Sequence, residues 1–182
     1  MKVTITGLDR LNAKLKKLPT TLEDAVFDAT FEIVEDIQGR VESKLNSSIY
    51  YNRGGLAGSN KNEVVKDSEG KIVGRVWNDD PVSVFREFGT GPVGEASPKD
   101  LPEGVNPVYT KESWFFPVDA VDIDLTAIYG MQKITIQGKE FYRTSGQPAR
   151  PFMYPAFKEG IDKAEEVYKE HVQKNLRKGL GQ

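Results

Sequence analysis

Cysteine is absent from the 182-residue chain. That excludes structural disulfides, thiol nucleophiles, iron–sulfur clusters and cysteine-bound zinc. Histidine is nearly absent: His171 stands alone. A zinc site could therefore draw on one of its usual nitrogen or sulfur ligands at most. A serine hydrolase would need His171 as its base, and no nucleophile-elbow sequence accompanies it. No run approaches the ~20 apolar residues that span a bilayer. Residues 1–7 alternate apolar and polar side chains, where a signal peptide carries an apolar run of about 7–15 residues. The expected place of synthesis is the cytoplasm, with no membrane partner. Neither sign of charge is in surplus: Lys+Arg is 25 and Asp+Glu is 27, for a net charge of −2. A dedicated nucleic-acid binder carries a basic excess on its domain.

What the chain does have is material for a core. Nine Phe, seven Tyr and two Trp stand among 38% hydrophobic residues, and a chain of this length buries roughly 70% of its unfolded surface. The periodicity organises that material. Leu8, Leu11, Leu15 and Leu18 predict a short helix closed by Pro19. Thr20 and Glu23 form a capping-box pattern that opens a second helix. In it Leu22, Val26, Ala29, Ile33, Ile37, Val41 and Leu45 recur at steps of three and four, an apolar stripe that implies burial. If helical from 22 to 45 it is ~36 Å long.

Strands are expected at 48–52, 63–67 and 71–78, the last two joined as a hairpin through Asp67-Ser68-Glu69-Gly70. Asp80-Pro81 reads as a helix opening. Val82, Phe85 and Phe88 then share one face, and Gly89 ends it. Residues 89–113 hold four Gly and four Pro without periodicity, a connection long enough to be functional or disordered. A further strand is expected at 114–118 and a helical turn at 122–129. A hairpin follows at 133–137 and 140–144, with Gly138-Lys139 as a type II′ turn. The last helix carries Phe157, Ile161, Ala164, Tyr168, Val172 and Leu176 on one stripe. The fold class is α+β: an antiparallel sheet with a long N-terminal helix and a C-terminal helix packed on it. The reading is one domain over 1–182, with a flexible arm at 89–113 and a loose tail at 179–182.

Chemistry is sparse. Residues 54–61 lack the Lys-Ser/Thr pair of a phosphate loop, and no dinucleotide fingerprint opens a helix. The carboxylate pairs Asp79-Asp80 and Asp122 with Asp124 are of the kind found in caps and turns. No metal, cofactor or catalytic residue is expected. Two segments stand out instead. In Val84-Phe85-Arg86-Glu87-Phe88-Gly89-Thr90-Gly91 an acidic side chain sits in the last turn of a short helix, where the dipole disfavours it. Glu87 therefore needs a compensating partner, and Arg150 is the candidate. In Gly146-Gln147-Pro148-Ala149-Arg150-Pro151-Phe152-Met153-Tyr154-Pro155-Ala156 three prolines restrict a strand-to-helix transition.

These segments resemble the signature motifs of the tailed-phage neck, or head–tail joining, proteins, also described as minor capsid, tail-completion or tail-component proteins. The opening Gly7-Leu8-Asp9-Arg10-Leu11, the long helix and Arg53-Gly54-Gly55-Leu56-Ala57-Gly58-Ser59 are similar to that family as well. The family's Pro–Val–x–Thr–Gly lead into this loop is replaced here by Ser47-Ser48-Ile49-Tyr50-Tyr51. The resemblance implies a virion structural protein forming a hexameric or dodecameric ring at the neck. Its partners would be itself, head-closure or connector proteins, and tail-terminator or tail-tube proteins, with genomic DNA passing through without specific binding. Host cytoplasm during assembly and the virion afterwards are the implied locations. The assembly residues carried over are Glu87, Phe88, Gly89, Thr90, Gly91, Arg150, Pro151, Phe152 and Pro155. Two alternatives stay open: a tail-terminator or tube-related ring subunit, and a small carboxylate-dependent hydrolase.

Overall fold

A computed structural model describes residues 8–47 and 55–180. In chain order the elements are α1 (Leu8–Ser47), α2 (Gly55–Gly58), β1 (Asn60–Lys66), β2 (Ile72–Asn78), α3 (Val82–Phe88) and α4 (Gly91–Ala96). There follow β3 (Trp114–Pro117), α5 (Leu125–Tyr129), β4 (Gln132–Ile136), β5 (Lys139–Thr144), α6 (Met153–Ile161) and α7 (Ala164–Leu180). The fold is α+β. Its strands are divided between two antiparallel sheets, β1-β2 and β3-β5-β4. The expected strand at 48–52 lies outside the described residues. Among those described, no helix is long and apolar enough to cross a membrane.

The chain divides into two compact units, residues 1–79 with 155–182, and residues 80–154, where the sequence reads as one domain. The first unit is built on α1. Two helices were expected, broken at Pro19; one 40-residue helix runs through it, about 60 Å long. Proline removes one intrahelical hydrogen bond and crowds the preceding turn. The Thr20–Glu23 capping box is therefore not a helix start, since Thr20 lies inside α1, and the neighbouring Thr21 hydroxyl donates to the Lys17 carbonyl within the helix.

The expected stripe is the core: Ala29, Ile33, Ile37, Val41 and Leu45 are buried, joined by Ala25 and Val34. The amino-terminal leucines are not, since Leu11 and Leu15 are half exposed. The β1-β2 hairpin lies on α1. Gly74 makes this possible, because a Cβ there would stand 2.5 Å from Val34 Cγ1 and 2.9 Å from Thr30 Cγ2. Asn62 Nδ2 donates to Gln38 Oε1 at 2.7 Å. At the hairpin's base Asn78 Nδ2 donates to Asn60 Oδ1 and to the Leu56 carbonyl, each at 2.7 Å. The Asp67 turn is as expected, its Oδ1 accepting the Glu69 and Lys71 amides.

The terminal helix differs from expectation. It begins earlier, at Met153, and breaks at residues 162–163 into α6 and α7. Phe157 and Ile161 are about half exposed, while Ala156 and Gly160 are buried. Gly160 faces Ile37, leaving no room there for a larger residue. Tyr168 holds α7 to α1 through a 2.8 Å hydrogen bond to Thr30 Oγ1, and His171 Nε2 lies 2.7 Å from Glu32 Oε2. Glu159 bridges to Lys44 at 2.7 Å and Arg40 at 3.4 Å. Gly179, expected in a loose tail, is helical.

The second unit contains the β3-β5-β4 sheet. Tyr142 on β5 is fully buried. Its hydroxyl accepts from the Leu125 amide and donates to Asp124 Oδ1, each at 3.1 Å. The β4-β5 turn is Gln137-Gly138, with φ of 50° and 79°. Two consecutive positive φ values make it type I′, one residue earlier than the expected type II′ turn. Within the expected arm, Gly91–Ala96 is helical. Beyond it, the Tyr109 hydroxyl donates to the Phe88 carbonyl at 2.9 Å.

Candidate functional site

The two singled-out segments meet inside the second unit. Asp80 opens α3 as expected: its Oδ1 accepts the Val82 amide at 2.9 Å. The buried face of α3 is the reverse of the expected one. Ser83, Arg86 and Glu87 are buried, while Val82, Val84 and Phe85 are 54%, 54% and 52% exposed. The physical reason is the partner of Glu87. Its Oε2 accepts the amides of Phe152 at 2.7 Å and Met153 at 2.9 Å. Its Oε1 accepts that of Tyr154 at 3.0 Å.

These are the opening amides of α6. A helix leaves its first four N–H groups without internal partners. Here three are taken by one carboxylate, and the fourth position is Pro155, which has no N–H to satisfy. The negative charge also sits at the positive end of the helix dipole. The burden that Glu87 carries at the carboxyl end of α3 is thus offset at the amino end of α6.

The expected Glu87–Arg150 pair is replaced by this arrangement. Arg150 is exposed, and it is its backbone amide that bonds, donating to the Arg86 carbonyl at 2.8 Å. Burial and the neighbouring Arg150 guanidinium lower the pKa of Arg86, with Glu87 acting in the opposite sense. Arg150 is therefore a like-charge neighbour of a buried cation.

Backbone contacts continue along both segments. The Thr90 amide donates to the Gln147 carbonyl at 2.9 Å, and the Gln147 amide to Thr90 Oγ1 at 3.1 Å. Gln147 Nε2 donates to the Phe85 carbonyl at 3.1 Å. The Val93 amide donates to the Ser145 carbonyl at 3.2 Å, and the Ala149 amide to Ser97 Oγ at 2.8 Å. The approach is close enough to require glycine. Gly89 has φ 75° and ψ −179°, a region only glycine enters without strain. A Cβ there would lie 2.6 Å from the Ala149 nitrogen. At Gly146, φ 101°, a Cβ would collide with the Thr90 carbonyl oxygen.

Of the residues singled out from sequence, Glu87, Gly89, Thr90 and Gly91 meet the backbone of 145–154. Phe152 is buried, and Pro151 and Pro155 flank the capped amides. Phe88 contributes its carbonyl to Tyr109. Sequence reasoning missed Gln147, Ser97 and Gly94 as part of this lock. Their signal is weak, since the Gln147 and Ser97 side chains bond to backbone groups and Gly94 acts by the close approach its missing Cβ allows. Two open grooves of about 790 and 750 Å³ share Thr90, Trp114 and Gln147 in their walls. The larger is apolar, lined among others by Val82, Val84, Phe85, Val105, Val108 and Tyr109.

Of the candidate carboxylates, Asp79, Asp80 and Asp124 hold structural posts. Asp124 accepts the Thr126 amide at 2.9 Å as the cap of α5 and pairs with Lys133 at 3.2 Å. The Thr126 amide, Lys133 and Tyr142 together lower its pKa, and Asp124 raises that of Lys133. Asp79 pairs with Lys61 and accepts Trp77 Nε1 at 2.7 Å, which lower its pKa in that order. Among the described residues, no group of three or more His, Cys, Asp or Glu side chains could hold a metal ion. No family model matches the chain, and neither a curated protein nor a solved structure does.

Proposed function

We propose that this chain is an assembly subunit of a tailed-phage or prophage virion, a ring protein at the neck that joins the DNA-filled head to the tail. One observation carries the reading. The two segments that resemble the neck-protein signature form a single lock, with Glu87 and the glycines spent on holding backbone to backbone. Motif residues of this kind build a shape and leave no reactive group poised. The structural posts of Asp79, Asp80 and Asp124 fit the same reading.

Outward, the second unit presents Val82, Val84, Phe85 and Val108, the last 98% exposed. Contiguous exposed apolar surface of this sort marks a contact site. A closed ring uses two different faces of each subunit, and such a face is one of them. The near-neutral net charge suits a conduit, since each neutralised phosphate would add affinity for DNA in transit.

The test is reconstitution. Purified protein is followed by light scattering and negative-stain imaging, then added to DNA-filled heads and to tails lacking it. Rings, and heads joined to tails in their presence, are expected. Binding to tails alone would turn the reading to a tail terminator. A chain that stays at 20.3 kDa at high concentration and ignores both heads and tails would overturn it. So would a hydrolase or nuclease activity lost on alanine substitution at Asp79, Asp80, Asp122 or Asp124.

A further inference from the structure

The first three turns of α1 carry an apolar stripe that the other described residues of their unit leave half exposed. Leu11 and Leu15 are 52% and 53% exposed. They continue the stripe that Ala25, Ala29 and Ile33 bury further along. The cause is length: α7 ends at Leu180, with Gly179 already beside Thr21. Pro19 stands at the root of this arm and removes a rung from its ladder, so the arm can be aimed separately from the rest of α1. The arm is also basic. Between residues 8 and 18 Arg10, Lys14, Lys16 and Lys17 face a single acid, Asp9.

The apolar groove of the second unit has the opposite character. Val82, Val84, Phe85 and Val108 stand open along it. On the stretch 80–113 that supplies most of its wall, Glu95, Asp100, Glu103 and Glu112 are exposed, against Lys99 and Lys111 at its surface.

We infer that the arm of one copy, with Leu11, Leu15 and Leu18 inward, docks in the Val82–Val84–Phe85–Val108 groove of a second copy. The spacing i, i+4, i+7 is that of a helix laid in an apolar groove, and opposite charge on the two surrounds orients it. The contact joins two different surfaces, so it propagates from copy to copy and closes into a ring where the rotation allows. The inference deepens the assembly reading by naming its contact, and it rests on that reading for biological meaning.

The chain's lack of cysteine makes the test direct. Leu15→Cys and Val84→Cys are made as separate full-length variants, both at half-exposed positions, and mixed under mild oxidation. A disulfide-linked dimer is expected from the mixture and not from either variant alone. Leu11→Cys with Val108→Cys serves as an independent pair. Arg10→Glu with Lys17→Glu in the Leu15→Cys chain should lower the yield several-fold, as should 0.5 M salt. The inference is overturned if Leu15→Cys alone cross-links equally well, which would mean arms pairing with arms. A Leu15→Cys/Val84→Cys double variant that closes within one chain at low concentration would also overturn it, as would no cross-link in either pair. Rings that form without these cross-links sink the inference and spare the assembly reading. Cross-links without any association with heads or tails do the reverse.

Discussion

Glu87 shows how one side chain can decide where a helix begins. Its carboxylate serves three amides that would otherwise be buried or half-buried without partners. Glu87→Ala strands all three and should cost about 2–4 kcal/mol. Glu87→Gln keeps one acceptor oxygen and should cost about half as much. Arg150→Ala should change stability by less than about 0.5 kcal/mol, because its amide survives and its charge opposes that of Arg86. Urea denaturation of the three variants and of the Glu87/Arg150 double variant measures this. The expected coupling between the two side chains is near zero, and a coupling above about 1 kcal/mol would restore the direct pair. Gly146→Ala belongs to the same lock. Its positive φ and the collision with the Thr90 carbonyl should make it worse than an ordinary glycine substitution, by more than about 2 kcal/mol. A wild-type denaturation midpoint for this variant would show that the two segments do not touch there.

The elements fall into those set by local pattern and those overruled by their neighbours. The stripe of α1, the β1-β2 hairpin and the Asp124 cap follow from spacing and turn chemistry alone. Pro19 was overruled: forty residues of helix, packed along much of their length, outweigh one missing bond. Pro19→Ala should raise stability by about 1–3 kcal/mol and leave the far-ultraviolet helical signal nearly unchanged, since the helix already runs through this position. A clear gain in helical signal would mean that the break expected from the sequence is real. The face of α3 was overruled too, because a charge already committed to another helix must turn inward whatever its apolar neighbours prefer. Where α6 meets α1, Gly160→Ala should cost about 1–3 kcal/mol through overpacking on Ile37. Ile37→Val in the same chain should recover part of it, since the obstacle is a side chain; absence of any recovery would place the clash elsewhere.

For the whole molecule, acid is the informative variable. Asp79, Asp124 and Glu159 all have pKa values held below their ordinary levels of 3.8, 3.8 and 4.5. For Glu159 the cause is Lys44 first and Arg40 after it. The unfolded chain therefore binds protons more readily at these sites than the folded one. Their contribution is fully present above the ordinary carboxylate range and is lost as pH falls through it toward the lower folded values. Urea midpoints should be flat from pH 7 to about 5 and decline below about 4. Asp124→Asn should show a shallower decline than the parent. An identical acid profile in that variant would remove Asp124 from the account. All three groups are exposed, so each effect is modest.

The amino-acid sequence alone determined the α+β class, the core face of the long helix, most strand positions and the two segments that matter. Each of these depends on contacts between residues near in sequence, or on turn geometry that a few side chains dictate. Tertiary structure alone decided that the strands form two sheets in two units and that α1 continues through Pro19. It also decided that Glu87 answers to the amides of Phe152, Met153 and Tyr154 and not to the charge of Arg150. The sequence does show that Glu87 needs a partner. A backbone amide, however, has no letter of its own, so a carboxylate bonded to three of them leaves no pair of complementary residues to read.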